Sequence, residues 1–208
     1  MATGIRFSEV MAGPFALGVS EPEAGARAGE SGRTRLTMHA DVSIPNLDAF
    51  IDSPDHPGGL AGRIDFAPLG RDIVADRGVF NLFAPADRPD TKHMIYELGF
   101  AVAGERWYLA GRKEVRDDTG FDMWADTTTL LTTLHRGDDA TAPVAGAGVL
   151  SLGVQDLMEL LATVRVTGAS SPLDIAVTLA RFGNFFMGEL WQTYAPRVLR
   201  AMAGRDRG

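Results

Sequence analysis

The sequence contains no cysteine, which excludes disulfide bonds, thiolate zinc sites, iron–sulfur clusters and cysteine nucleophiles. Lysine is nearly as scarce, because Lys92 and Lys113 are the only two in 208 residues. The 27 acidic and 20 basic side chains leave a formal net charge of -7. Binding to a phosphate backbone needs clustered lysine and arginine. We therefore expect no nucleic-acid partner.

The sequence also lacks a hydrophobic run long enough to cross a membrane. An apolar stretch near its start, residues 11–19, is interrupted by Gly13, Pro14 and Gly18. This stretch is too short for a membrane span and makes a poor core for a signal peptide. We therefore expect a cytoplasmic protein with no membrane span.

Several catalytic and cofactor motifs are missing. There is no GxGxxG motif, no P-loop and no GxSxG elbow, which argues against a dinucleotide-binding fold or an α/β-hydrolase. The four histidines, at positions 39, 56, 93 and 135, are widely separated, and no pair has the spacing of a metal site. The sequence therefore predicts no metal and no cofactor. Haem bound through a single axial histidine stays open, because one ligand needs no motif.

Alternating hydrophobicity is the main pattern that is present. In LTMHADVSI, every second residue from Leu36 to Ile44 is apolar, which is typical of a strand with one buried face. The clearest hairpin joins HMIYELGFAV to WYLAGRKEV through a turn at residues 103–106. Strand and turn signals recur up to residue 153, in roughly eight segments, and about eight antiparallel strands close into a barrel.

The last quarter of the chain changes to helical spacing. Apolar residues at positions 154, 157, 158, 161 and 164 predict a helix over residues 154–167, which Gly168 ends. Ser171 as N-cap and Pro172 at the first helical position predict a second helix over residues 171–195. The tail, residues 196–208, is predicted to be a frayed helix that finishes disordered.

These patterns predict a mainly β fold, an antiparallel, calycin- or lipocalin-like β-barrel followed by two C-terminal α-helices. We expect a single domain over residues 1–208, with the barrel in residues 1–153 and a helical packing segment in residues 154–195. Residues 21–32 lack any large apolar side chain and are predicted to be an exposed loop. Asn46 is predicted to cap a single helical turn that covers one end of the barrel.

One charged residue falls on a face that should be buried. Alternation places Lys113 on the same face as Trp107 and Leu109. Burial of an unpaired amine costs free energy and lowers its pKa, which is the usual route to a catalytic base or a Schiff-base lysine. Two alternatives stay open: Lys113 lies at the barrel rim with its ammonium in water, or a β-bulge reverses the alternation.

The segment that follows offers polar partners for this lysine. Asp126 is followed by three threonines, and pairing across the turn at residues 116–120 brings it near the lysine-bearing strand. An ion pair of Asp126 with Lys113 or Arg112 is expected, either as a structural clamp or as a polar anchor in an apolar cavity. Tyr96 shares the apolar face of its own strand, whereas Glu97 points to the opposite face. Tyr96 is therefore the better candidate to provide a polar group in the cavity.

We therefore name Lys113, Asp126 and Tyr96 as candidate catalytic residues. The candidate ligand-binding residues are those expected to line the same cavity, although the aromatic ones could equally fill a core. They are Trp107, Trp124, Leu109, Met94, Thr127, Thr129 and His39.

Four stretches of the sequence resemble a known group of proteins. FSEVMAG, GVFNLF, the MIYEL–YLAGRKEV hairpin and above all WADTTTL are similar to the accessory domain found alongside cholesterol-oxidase-type flavoenzymes of the glucose-methanol-choline group in actinobacteria. The similarity covers most of the chain through LSLGVQDLMELL. It implies a domain that holds or acts on a bulky lipid-like alcohol or ketone, with a flavoenzyme as partner. It implies no catalytic residues, and no flavin motif is present.

Three hypotheses of function follow. The first is a binding module whose barrel receives a hydrophobic small molecule, steroid-, isoprenoid- or polyketide-like, as an accessory to an oxidoreductase. The second is a non-redox isomerase or cyclase that acts on such a molecule in the same cavity. The third is a structural or interaction domain with a filled barrel.

Overall fold

The computed structural model describes residues 2–88, 91–116, 128–153 and 162–205. The described residues form ten strands and three helices. Along the chain these are β1 (Gly4–Leu17), α1 (Pro22–Gly32), β2 (Arg35–Ile44), α2 (Leu47–Asp52), β3 (Pro57–Phe66), β4 (Gly70–Val74), β5 (Arg77–Pro85), β6 (Thr91–Val102), β7 (Glu105–Arg116), β8 (Thr129–His135), β9 (Val144–Ser151), β10 (Arg165–Thr167) and α3 (Pro172–Arg205).

Eight of the strands close into an antiparallel barrel, which confirms the predicted mainly β, barrel-forming part of the architecture. Their order is β1-β2-β3-β5-β6-β7-β8-β9, and β9 pairs back onto β1, with Phe15 opposite Gly148. β4 pairs only with β3, and β10 extends the sheet at the start of β1. A closed barrel has no unpaired edge, so its inward-facing side chains are removed from water on every side.

The interior is filled mainly by large apolar side chains. Alternate residues of β1, β2, β3, β6 and β7 face it. The period of two in the sequence predicted this for β2, β6 and β7. The largest fully buried side chains come from β1, β2, β3, β5, β6 and α2: Phe15, Phe66, Phe80, Phe83, Phe100, Ile5, Met11, Leu36, Met38, Ile44, Leu47 and Ile64.

The predicted hairpin is formed by β6 and β7. Its turn is two residues long, and both Ala103 (φ 50°) and Gly104 (φ 84°) adopt left-handed conformations, as a type I′ turn requires. The register places Met94 opposite Lys113 and Phe100 opposite Trp107. Both predicted inward faces are confirmed.

Residues 21–32 were predicted to be a loop, and this prediction is wrong for most of the segment. Residues 22–32 form α1, which packs against β1 and β9. Gly25 and Gly29 face these strands so closely that an added Cβ would lie 2.1 Å from the Ala147 carbonyl oxygen and 2.3 Å from the Phe15 nitrogen. The contact thus depends on small residues, so no apolar stripe marks this helix in the sequence.

The C-terminal prediction is partly wrong. Residues 154–161 lie outside the described residues, but residues 165–167, placed at the end of a predicted helix, form β10 against β1. Gly168 has a φ of 72° and therefore follows a strand, not a helix. The second predicted helix is confirmed as α3, which extends to Arg205 and includes most of the segment predicted as a tail. In the described part of the chain, no helix is long and apolar enough to cross a membrane.

The helices α2 and α3 meet at one end of the barrel. Asn46 caps α2 as predicted, by accepting a hydrogen bond from the Ala49 amide at 3.2 Å. Phe185 of α3 packs edge-on against Phe50 of α2 and against His56, with ring centroids 5.5 and 4.7 Å apart. Aromatic contacts of this kind add to the apolar area that is buried. This end of the barrel is the one at which β7 ends and β1 begins.

Replacing Gly25 with alanine is expected to destabilise the fold, although alanine favours a helix. The new methyl group would overlap the Ala147 carbonyl, and overpacking of this kind costs about 1–3 kcal/mol. The matched control is Gly32→Ala, because the nearest atom to a Cβ there is 3.7 Å away. Urea unfolding should show a loss for Gly25→Ala and none for Gly32→Ala; equal stabilities would contradict the tight α1 contact.

Candidate functional site

A carboxylate and an amine face each other across the interior of the barrel. Glu9 lies on β1 and Lys113 on β7, two strands that are not neighbours in the sheet. Their Oε2 and Nζ atoms are 3.8 Å apart, and the two side chains are 2% and 3% exposed. This separation allows an ion pair but is longer than a hydrogen bond. Lys113 is therefore neither at the rim nor turned outward by a bulge.

Tyr96 completes the cluster from β6. Nζ of Lys113 lies 4.9 Å from the centre of its ring, within the range of a cation–π contact. On its other side the ring packs edge-on against Phe80 at 5.1 Å. We call Glu9, Lys113 and Tyr96 the buried polar cluster.

Burial and the carboxylate act differently on the other two members of the cluster. Burial lowers the pKa of Lys113, and the nearby negative charge of Glu9 opposes part of this change. Burial also raises the pKa of Tyr96 well above its usual value, and Glu9 raises it further. The arrangement thus favours the uncharged phenol of Tyr96 and makes the ammonium group of Lys113 easier to deprotonate.

One oxygen of the cluster has no hydrogen-bond partner among the described residues. Within the described part of the chain, Oε1 of Glu9 accepts no hydrogen bond, although it is buried. Such an orphaned acceptor costs about 1–3 kcal/mol, and more when it is charged. A carboxylate oxygen in this position can accept a hydrogen bond from a hydroxyl group brought by another molecule.

The structure brings some of the predicted residues to this cluster and leaves others far from it. Met94 is the register partner of Lys113, and Leu109 and Trp107 are buried on the same face of β7. Trp107 lies six positions before Lys113, which is roughly 20 Å along a strand. Trp107 lies near the opposite end of the barrel, where Arg136 stacks on its ring at 5.2 Å.

Thr129 and His39 lie apart from the buried polar cluster. Thr129 is half-buried, and it alternates with the buried Leu130 of the same strand. His39 is on the outward face of β2, where its Nε2 lies 3.1 Å from Asp65. Two hydrogen bonds hold the pKa of Asp65 below its usual value. The one from the Asp72 amide has the larger effect, and the one from His39 has the smaller effect. Asp126, Trp124 and Thr127 lie outside the described residues, so their roles stay predictions.

Sequence reasoning missed Glu9, although a signal was available. The segment GIRFSEVMAGPFAL alternates, and Ile5, Phe7 and Met11 share one face with Glu9. A single carboxylate on an otherwise apolar strand face indicates a buried acid.

The described residues offer no group of three or more histidine, aspartate or glutamate side chains that could hold a metal ion. Two histidine rings form hydrogen bonds with backbone carbonyl oxygens. Nδ1 of His56 lies 2.9 Å from the Phe50 carbonyl oxygen, and Nδ1 of His135 lies 2.8 Å from the Ala142 carbonyl oxygen. Both therefore fix local structure.

A second candidate is an open cavity of about 400 Å³ between α2 and α3. It is lined by Ile51, Arg181, Asn184, Phe185, Gly188 and Glu189. The charges there already have partners, because Arg181 pairs with Asp48 at 2.6 Å and Glu189 pairs with Lys92. The buried polar cluster, with its orphaned oxygen, is therefore the stronger candidate site.

Comparisons of the chain with protein-family models, with curated proteins and with solved structures found no match. Function is therefore inferred from the geometry of the barrel and its buried polar cluster.

Removing either charge of the Glu9–Lys113 pair is expected to destabilise the protein strongly. Glu9→Gln and Lys113→Met should each cost about 3–5 kcal/mol, because each leaves the other charge buried without compensation. The double variant should recover most of this loss, since it buries no charge. A double-mutant cycle measured by urea unfolding checks this; additive losses would show that the two side chains do not interact.

Stability should depend on pH through Lys113. Its pKa in the folded protein is lowered from 10.5, so between that lowered value and 10.5 the unfolded chain binds more protons than the folded one. The free energy of unfolding should therefore rise with pH across this window. The double variant Glu9→Gln/Lys113→Met is the reference, because it keeps Tyr96 but lacks the pair. Parallel curves for the two proteins from pH 7 to 10 would rule out a lowered pKa.

Proposed function

We propose that the barrel binds a hydrophobic small molecule that carries a hydroxyl or keto group, and holds that group at the buried polar cluster. Steroids, isoprenoids and polyketides are molecules of this class. The observation that carries the proposal is the orphaned Oε1 of Glu9. A ligand hydroxyl that donates to this oxygen would remove the cost of burying it unpaired.

The geometry of the ion pair supports this proposal over a structural clamp. A buried pair offsets its desolvation only when the geometry is good and further hydrogen bonds satisfy both groups. Glu9 and Lys113 stand 3.8 Å apart, and one carboxylate oxygen has no hydrogen-bond partner among the described residues. A cluster in this state is better suited to accept a polar atom from a ligand than to stabilise the fold.

The surroundings of the cluster suit the apolar body of such a ligand. Binding sites for small molecules are mostly apolar and contain a few well-placed polar groups. Met11, Met38 and Met94 are fully or almost fully buried near the cluster, and Met11 is the register partner of Met38. Methionine side chains are unbranched and flexible. They can therefore move aside to make room for a ligand more easily than branched or aromatic side chains.

The proposal extends to a calycin-like binding module that serves a flavoenzyme. A closed, eight-stranded antiparallel barrel supports the first part of this idea, because barrels of this size can enclose one small ligand. The second part is supported by the resemblance of FSEVMAG, which contains Glu9, and of the Lys113-bearing hairpin to the accessory domain of such enzymes.

A second candidate function is a non-redox isomerase or cyclase acting on the same class of molecule. Lys113 and Tyr96 favour it, because an amine with a lowered pKa and a protonated phenol lie beside one carboxylate. Such groups can move protons during a rearrangement. Turnover that is lost in Lys113→Arg while binding persists would favour the enzyme over the binding module.

Native mass spectrometry of the purified protein tests the proposed binding. We expect a co-purifying lipid, or a complex formed on addition of cholesterol. Binding should weaken at least tenfold in Glu9→Gln, since a hydrogen bond to a charged group contributes about 1.5–3 kcal/mol. The matched control is Glu97→Gln, which removes a carboxylate that Tyr108 binds on the outer face of β6. Apo protein in every spectrum would favour the third hypothesis, a filled structural barrel.

A further inference from the structure

We propose that Lys113 forms a reversible imine with an aldehyde or ketone that enters the barrel, so that the site holds carbonyl ligands covalently. This inference rests on the proposed function, because the ligand must reach the same buried polar cluster. It narrows the ligand class from any hydrophobic alcohol or ketone to hydrophobic carbonyl compounds that react with an amine.

The geometry places the groups that imine formation needs side by side. The amine nitrogen must attack the carbonyl carbon, and a neighbouring acid–base group must move the protons. Oε2 of Glu9 lies 3.8 Å from Nζ of Lys113, and Oε1 accepts no hydrogen bond within the described residues. One oxygen thus faces the amine, and the other is open to the oxygen of the ligand.

The reaction balances without an oxidant or a reductant. Attack of the Lys113 amine on the carbonyl carbon moves the π electrons onto oxygen. Glu9 takes a proton from nitrogen and gives it to that oxygen, which yields a carbinolamine. The nitrogen lone pair then forms the C=N bond of a cationic iminium as the C–O bond breaks. Glu9 passes the remaining N–H proton to the departing oxygen, which leaves as water. The net change is amine plus carbonyl compound to imine plus water.

The surroundings favour both the reacting amine and the product. Burial lowers the pKa of Lys113, which raises the fraction of amine that can attack. The face of Tyr96, 4.9 Å from Nζ, would stabilise the cationic iminium that forms next. The apolar interior limits the access of water, which would otherwise hydrolyse the adduct.

The scarcity of lysine gives this inference an internal control. The chain has two lysines, and Lys92 differs from Lys113 in exposure and in partner. The side chain of Lys92 is 27% exposed and forms a partly buried pair with Glu189, whereas that of Lys113 is 3% exposed and faces Glu9. Peptide mapping can therefore assign an adduct to Lys113, to Lys92 or to the α-amino group.

The test uses all-trans-retinal, an isoprenoid aldehyde, on the full chain, followed by reduction with sodium borohydride and peptide mapping. We expect one reduced adduct on Lys113, which persists in Lys92→Arg and is absent from Lys113→Arg. The adduct should form at least tenfold more slowly in Glu9→Gln than in Glu97→Gln, with circular dichroism confirming that each variant is folded. An adduct found only on Lys92 or the α-amino group would overturn the inference.

All-trans-retinol, the matched alcohol, separates this inference from the proposed function. It cannot form an imine, and its binding to the wild-type protein is followed by fluorescence. Retinol that binds while retinal leaves Lys113 unmodified would overturn the imine and leave the proposed binding intact. If retinol does not bind and retinal does not modify Lys113, both proposals fail.

Discussion

The pairing of β1 with β9 is the contact on which the rest of the structure depends. Phe15 opposite Gly148 and Ala12 opposite Ser151 join the first strand of the sheet to the last strand of the barrel. Gly13 makes this close approach possible, because a Cβ there would lie 1.9 Å from the Val149 carbonyl oxygen. Without this seam, the inward faces of the strands would form one side of an open sheet, and the buried polar cluster would face solvent.

Closure also explains why the cluster is energetically unusual. Glu9 and Lys113 approach each other across the interior because their strands lie on separate parts of the barrel wall. The low polarity of the interior strengthens their attraction, but it also raises the cost of every unsatisfied polar atom. The same enclosure therefore lowers the pKa of Lys113 and leaves Oε1 of Glu9 without a hydrogen-bond partner among the described residues. These two features are the basis of the proposed binding and chemistry.

The elements that could be predicted are those whose signal is local. The β6–β7 hairpin follows from alternation and from a turn containing Gly104, and its register placed Lys113 and Tyr96 inward. The elements that were missed depend on distant partners. α1 lacks an apolar stripe because Gly25 and Gly29 pack on backbone, and β10 forms at residues 165–167 because β1 offers it an edge.

The sequence by itself determined most of the strand pattern, the apolar strand face on which Lys113 falls and the absence of any thiol chemistry, since each depends on residue type or on a period of two. Only the tertiary structure decided the partner of that lysine. Glu9 precedes Lys113 by 104 positions in the chain, so no local sequence pattern links these two residues. Closure of the barrel brings them within 3.8 Å, because register and strand order together set which inward residues meet across the interior.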